Sequence, residues 1–274
     1  PLPPTGTSRG VLRPSDGSGR PAAAHLAPRA DVARYLEHYW SLAWSVPAPA
    51  HRAVVAHPAI HVTVEDGDGP LHGHRLPAVL VHGVVRRTFE VELPRRGWVF
   101  GARFRPGGFR AMTGIDASSL TDRVVRLETL VDDADELLDA VLAAGDYAAK
   151  TSAMDAWFGA RLPGDPDPDY TRVLRVVAGL LADRTLHRAE DVAAAHGMSL
   201  RSLQRLCKRF VGVGPKWLLT RYRLHDAIAA IDEDPDVDLA DLAASLGWFD
   251  QAHFTREFTA LVGVSPQTYR ARPR

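Results

Sequence analysis

Asp191-Val-Ala-Ala-Ala-His-Gly-Met-Ser-Leu-Arg-Ser-Leu-Gln-Arg-Leu-Cys-Lys-Arg-Phe-Val-Gly-Val-Gly-Pro215 is written a second time, as Asp241-Leu-Ala-Ala-Ser-Leu-Gly-Trp-Phe-Asp-Gln-Ala-His-Phe-Thr-Arg-Glu-Phe-Thr-Ala-Leu-Val-Gly-Val-Ser-Pro266. The offset is fifty residues before the glycine and fifty-one after it, and self-similarity at a fixed offset signals repeated architecture. Each copy is an Ala-rich helix, a turn through Gly197 or Gly247, and a second amphipathic helix. That is a helix-turn-helix, whose second helix enters the DNA major groove.

In the first copy Leu203, Leu206, Cys207 and Phe210 fall at i, i+3, i+4 and i+7 and form one apolar stripe. Ser199 is the natural N-cap. Ser202 follows in the first turn, and Arg201, Gln204, Arg205 and Lys208 occupy the other side, with Arg209 beside them. In the second copy Phe254, Phe258 and Leu261 form the stripe and Asp250 is the cap. Gln251, Ala252, Thr255, Arg256 and Thr259 cover its outer face, with His253 at the edge. Arg and Gln make the bidentate contacts that distinguish guanine and adenine edges. From Ser199 to Arg223 there are seven Lys or Arg and no Asp or Glu. A basic run alone is often just a solvated helix face; two such helices in register, each behind a turn glycine, make that reading poor.

Residues from about Asp169 to Arg274 resemble the DNA-binding domain of the AraC/XylS family of bacterial transcription regulators. The resemblance is carried by Leu203-Gln-Arg205, Phe210, Gly214-Pro215, Arg223-Leu-x-x-Ala227, Ile231, Leu242-Ala243 and Gly247-Trp248, then by Phe254-Thr-Arg-x-Phe258, Gly263-Val-Ser-Pro266 and Tyr269-Arg270. It implies seven helices with two helix-turn-helix units, base-reading positions at Arg201, Gln204, Arg205, Gln251, Ala252, His253 and Arg256, and double-stranded DNA as partner, with RNA polymerase as a further one. Ala252 departs from the polar residue of some members, which weakens base reading by the second helix. Pro215 to about Ile231 reads as a connecting helix of about 25 Å. That length holds the recognition helices near the ~34 Å spacing of successive groove faces. The acidic stretch Asp232 to Asp241 is expected to point away from phosphates.

The formal net charge is zero, so nucleic-acid affinity has to come from a local basic surface. One cysteine excludes internal disulfides and cysteine-zinc clusters. It also argues against a methyl-accepting repair protein, which needs further reactive thiols. On the buried stripe, Cys207 is expected to be inert rather than a redox switch. No apolar run approaches the ~20 residues of a membrane span and no signal peptide is read, so the expected location is the cytoplasm. The Ala- and Arg-rich composition suggests a high-GC bacterium.

The expected organisation is α+β in two domains: 1–28 a flexible arm, within which Leu12-Arg-Pro could dock; 29–162 a small β-barrel with two following helices; 163–169 a linker; 170–274 the all-α DNA-binding domain. Period-two alternation marks strands at Trp40–Val46, Ile60–Glu65, Thr88–Leu93 and Trp98–Arg105, with turns at 66–70 and 106–108. Tyr39-Trp-Ser-Leu-Ala-Trp44, Ala56-His-Pro58, Phe100-Gly-Ala-Arg-Phe-Arg-Pro-Gly-Gly-Phe109 and Leu120-Thr-Asp-Arg123 resemble the cupin-like sensor domain that precedes some AraC-type domains. The resemblance implies a small-molecule effector, unidentified, or a dimerisation module. Helices are expected over 131–144 and 147–162, and in this family such a pair often builds a homodimer interface; packing on the barrel is the plainer reading. Pro163-Gly-Asp-Pro-Asp-Pro-Asp169 cannot continue a helix.

Trp40, Trp44, Trp98, Phe100 and Phe104 are core by default and, on the sharper reading, line an aromatic ligand cavity. Arg103 and Arg105 are expected on the other face as ion-pair partners. His51, His57, His61, His72, His74 and His82 crowd the same region. His72-x-His74 would put two imidazoles on one strand face, but no nearby Glu completes a three-ligand set, and His61 is expected outside the barrel. The expectation is therefore no metal, no cofactor and no catalysis. A metal-dependent cupin-type enzyme and a regulator whose barrel mediates only protein contacts are the rivals to a ligand-controlled regulator.

Overall fold

The structure, a computed structural model, describes residues 24–54, 57–165, 167–183 and 185–272. The expected arm lies outside the described residues up to position 23, Leu12-Arg-Pro included. From Ala24 to Leu26 the chain is not an arm but an edge strand, β1. Then come β2 (Leu36–Ser45), β3 (Ala50–Val54), β4 (His61–Gly67), β5 (Ala78–His82), β6 (Phe89–Leu93), β7 (Arg96–Phe104), α1 (Gly108–Thr113) and β8 (Val124–Arg126). The helices α2 (Ala134–Ala143) and α3 (Tyr147–Gly159) close the strand-rich domain.

One six-stranded sheet, ordered β1-β2-β7-β4-β5-β8, and a two-stranded ribbon, β3-β6, take up the described strands. All pairings are antiparallel. The strands expected to close a barrel are thus a sheet with a ribbon over one face: Trp44 Nε1 donates to Pro94 O at 2.9 Å, and Phe89 packs against the His72 and His82 rings. The other face carries Tyr39, Val62, Val64, Phe100, Ala102 and Phe104, all buried. It packs on helices, Phe104 meeting Phe109 and Phe158 edge-on at 5.4 Å each. The buried Asp155 of α3 accepts from Tyr39 Oη at 2.8 Å and from Arg29 N.

The C-terminal helices are α4 (Pro168–Ala182), α5 (Ala189–Ala195), α6 (Leu200–Phe210), α7 (Pro215–Glu233), α8 (Leu239–Ser245), α9 (Gln251–Val262) and α10 (Pro266–Arg270). Pro168 and Asp169, expected in the linker, open α4 instead, with Asp167 as cap and proline in the first turn, where its missing N–H costs nothing.

The cores do not divide at that connection. One cluster of buried side chains runs from Val32 through the sheet and α2–α6 to Tyr222 in α7; a second runs from Leu224 to Tyr269. Tyr170 stacks on Tyr35 at 5.4 Å and its hydroxyl donates to Arg34 O at 2.7 Å. Arg221, 2% exposed, donates to Val85 O and Arg86 O at 3.1 and 2.9 Å. The strand-rich domain and the first helix-turn-helix unit therefore share one hydrophobic core, and the second unit has its own.

Candidate nucleic-acid interface

The two units repeat at the level of single hydrogen bonds. In the first, Gly197 has φ +63°, its N–H reaches Ala194 O at 3.1 Å, and Met198 N reaches Ala193 O at 2.8 Å. In the second, Gly247 has φ +81°, its N–H reaches Ala244 O at 3.0 Å, and Trp248 N reaches Ala243 O at 2.9 Å. This is the Schellman closure, in which a left-handed residue returns the chain onto the last carbonyls of a helix. Ser199 Oγ then accepts from Ser202 N at 3.1 Å, and Asp250 Oδ1 from His253 N at 2.6 Å. Both recognition helices thus start one turn after the glycine, with their first N–H groups satisfied.

The stripes are buried as the spacing requires: Leu203, Leu206, Cys207 and Phe210 in α6, and Phe254, Phe258 and Leu261 in α9. Burial pushes the Cys207 thiol up to about 12. Ser199, Arg201, Gln204, Arg205 and Lys208 are exposed on α6 and its cap, while Ser202 and Arg209 are half-buried. On α9, Gln251, Ala252 and Arg256 are exposed, and Thr255 and His253 half-buried. His253 Nε2 lies 3.4 Å from Glu257 Oε1, and Glu257 Oε2 accepts from Trp248 Nε1 at 2.7 Å.

Two members of the basic run have other work. Arg221 ties α7 to the strand-rich domain, and Arg223 donates to Gly247 O at 3.0 Å while lying over the Trp248 ring, bracing the second turn. The basic surface of the first unit is narrower than the sequence count: Arg201, Arg205, Lys208 and Arg209 on α6, with the exposed Lys216 at the start of α7. At the C-terminal end of α6 Arg209 Nε approaches Asp116 Oδ1 at 3.7 Å, Thr121 Oγ1 donates to Gly212 O at 2.8 Å, and Arg110 lies over the Phe210 ring. Sequence reasoning passed over Phe249, which is 92% exposed immediately before the α9 cap. A large apolar residue between a turn glycine and a helix cap was the available signal.

The aromatic set does not line one cavity. Across the β2–β7 ladder Trp40 pairs with Gly101 and Trp44 with Gly97, while Ser41 pairs with Phe100 and Ala43 with Trp98. Paired residues share a face, so Trp40 and Trp44 oppose Trp98, Phe100 and Phe104. Trp40 and Trp44 lie across those glycines so closely that an added Cβ would meet their rings at 2.6 and 2.4 Å. Phe100 is fully buried core. Of the five, Phe104 alone lines the open cleft of about 570 Å³ between the sheet and the helices, with Val62, Phe109, Ile115, Trp157 and Phe158; Asp132, Asp133 and Arg161 stand at its polar side. Arg103 pairs with Glu37 at 3.0 Å, and Arg105 Nε donates to Ala33 O at 2.8 Å.

The histidine reading needs correction. His72 and His74 do not share a strand; they flank Gly73 in a tight turn closed by the Leu71–His74 bridge. His61 pairs directly with His82, so it lies on the ribbon-covered face with Thr63 and Glu65, where its Nδ1 accepts from Trp40 Nε1 at 3.1 Å. A carboxylate does complete a set: Glu65 meets His72 and His82.

Residues 24–126 match a family described as a domain of unknown function (DUF6597), and residues 192–272 match the helix-turn-helix domain family. The transcriptional activator NphR of Rhodococcus sp is 36% identical over 106 residues, covering 37% of this chain and 30% of that protein. The putative HTH-type transcriptional regulator YkgA of Escherichia coli (strain K12) is 36% identical over 83 residues, covering 30% of this chain and 34% of that protein. The chain thus spans about a third of the length of the curated relatives it matches. The structure of ToxT from Vibrio cholerae aligns over 85% of this chain and 97% of that one, with TM-score 0.47 and 10% identity. No helix among the described residues is long and apolar enough to cross a membrane. With its duplicated turn, cap and stripe geometry, the segment 192–272 is a helix-turn-helix domain, and it resembles those of the AraC/XylS family.

Proposed function

We propose that this protein is a cytoplasmic, sequence-specific regulator of transcription that reads double-stranded DNA through both helix-turn-helix units and is controlled by a small molecule held in its strand-rich domain. The observation that supports the reading is the repeated Schellman turn and cap, each followed by a helix whose exposed face bears Arg and Gln, the side chains suited to base edges. Arg201, Gln204 and Arg205 act on one groove segment and Gln251, Ala252, His253 and Arg256 on the next. Lys208 and Arg209 contact phosphate. The 19 residues of α7 span about 28 Å, close to the ~34 Å between successive groove faces.

The effector is a compact, mostly apolar molecule bearing a polar group. The cleft beside Phe104 supports this: its volume suits a small ligand, its walls are apolar, and Asp132, Asp133 and Arg161 offer the polar end. A homodimer through 131–162 is part of the same reading, supported by Leu142 and Tyr147, which are 37% and 46% exposed there.

Selection of bound genomic fragments followed by footprinting tests the proposal. A protected site spanning two adjacent groove segments per chain is expected. Absence of any specific site, together with turnover of a small molecule by the strand-rich domain, would replace it with the enzyme reading.

A further inference from the structure

The face of the sheet under the ribbon holds a polar group that DNA recognition does not use. β4 and β5 pair antiparallel with Thr63 opposite Leu80 and His61 opposite His82, so Thr63, Glu65 and His82 project to one side. His72 joins them from the turn between the two strands. It sits at φ +53°, followed by Gly73 at φ +80°, a left-handed conformation uncommon for a non-glycine residue. His82 Nε2 is 2.9 Å from Glu65 Oε1, and His72 Nε2 is 3.6 Å from Glu65 Oε2. One ligand atom from each of the three residues lies within 4.8 Å of the others.

We propose that Glu65, His72 and His82 bind a divalent transition-metal ion of the zinc type. Two imidazole nitrogens and one carboxylate form a recognised three-ligand set that leaves a position open. Glu65 is 2% exposed, and its Oε2 is buried with no hydrogen-bond partner among the described residues. Burying a carboxylate oxygen unpaired is costly, and a cation between Oε2 and the imidazoles removes that cost. Glu65 Oε1 also accepts from Thr63 Oγ1 at 2.8 Å, the outer hydrogen bond that orients a ligating carboxylate. Phe89 stands 5.2 and 5.8 Å from the two rings and shields the site from the ribbon side. Bringing donor nitrogens to the ~2.0–2.1 Å of zinc–imidazole bonds requires only short side-chain movements. The site ties β4, the 71–74 turn and β5 together and is independent of the regulator reading.

The test uses the full chain without a histidine tag, stripped by chelator and titrated with cobalt(II), followed by visible d–d absorption and metal content. One cobalt per chain, displaced by zinc, is expected. Glu65→Gln and His82→Ala should each weaken binding by about tenfold or more, as even losing an outer-shell partner does in such sites. His72→Asn tolerates the left-handed turn and gives the same loss in a chain whose sheet is untouched. His51→Ala, at an exposed strand position, should change nothing. No saturable binding at micromolar cobalt overturns the proposal. So does binding that persists in a folded His72→Asn chain, or that falls equally in His51→Ala.

Discussion

Arg209 of the first recognition helix lies 3.7 Å from the carboxylate of Asp116, so a side chain suited to a DNA phosphate is partly held by the strand-rich domain. Arg110 shares that carboxylate at 2.5 Å, but its side chain is 13% exposed against 41% for Arg209. Only Arg209 can swing out. Asp116→Asn is expected to strengthen binding to cognate and random duplexes alike, and to steepen the dependence of log affinity on log salt by up to about one. Anisotropy titrations at several salt concentrations read both quantities. An unchanged slope would mean that Arg209 does not reach a phosphate.

Arg205 and Lys208 are both exposed on α6, but their expected roles differ. Arg205→Ala should cost about 1–3 kcal/mol at the cognate site and relax preference at one base pair. Lys208→Ala should weaken all sequences similarly and lower the salt slope by about one. Equal losses on cognate and random DNA for Arg205→Ala would remove it from the base-reading set.

Phe249 is solvated in the free chain and precedes Gln251 at the start of α9. Apolar side chains at this end of a recognition helix can meet a thymine methyl. Phe249→Ala should cost about 1 kcal/mol at one position of the site, the low end of single-base discrimination, and leave the melting temperature nearly unchanged. A variant library read by selection locates the position; uniform retention of specificity would leave Phe249 without a part in recognition.

Arg205, Lys208 and Arg209 were legible because caps, turn glycines and stripes are local: Ser199, Gly197 and Leu203 lie within seven positions of one another, and a helix needs little else to be oriented. The shared core was not. Tyr170 and Phe210 look like any apolar helix residues, and nothing in their spacing says that Tyr35 and Arg110 cover them. Arg221 looks like another basic residue of the run until its guanidinium is found on Val85 O and Arg86 O. The Glu65–His72–His82 group depends on the register of β4 against β5 and on a left-handed turn, neither of which alternation reveals. The aromatic set failed for a related reason: period two places residues on a strand's faces, but register decides which faces coincide.

His38 gives a pH dependence of defined sign. Burial, with Arg103 nearby, holds its pKa down to about 3 from the usual 6.5. The unfolded chain therefore takes up this proton first as pH falls. The stability associated with neutral His38 is fully present above about 6.5 and is lost progressively as pH drops toward 3. Urea midpoints between pH 7 and 4 should fall, and His38→Gln should flatten the curve relative to its own value at pH 7. A steeper curve in the variant would contradict the assignment.

Removing the strand-rich domain should affect the two units unequally. A fragment from Pro168 onward exposes Tyr170, Val173, Phe210 and Val211, which lie in the core shared with the sheet. It also loses the Tyr170–Arg34, Thr121–Gly212 and Arg221–Val85 hydrogen bonds. The second unit keeps its own cluster from Leu224 to Tyr269, along with the Trp248–Glu257 and Arg223–Gly247 ties; it gives up the Thr88 Oγ1 to Leu261 O hydrogen bond and the stacking of His57 on His225 at 3.9 Å, which leave its apolar cluster intact. Regions with fewer buried apolar contacts open at lower free energy. Native-state hydrogen exchange should therefore show α6 amides losing most of their protection in the fragment while α9 amides keep theirs. The fragment should also be monomeric and bind a half-site weakly, since the exposed Leu142 and Tyr147 of the proposed dimer surface are absent from it. Equal protection of α6 in fragment and full chain would show that the shared core contributes little to the first unit. The domains would then communicate through the geometry of the dimer rather than through direct packing.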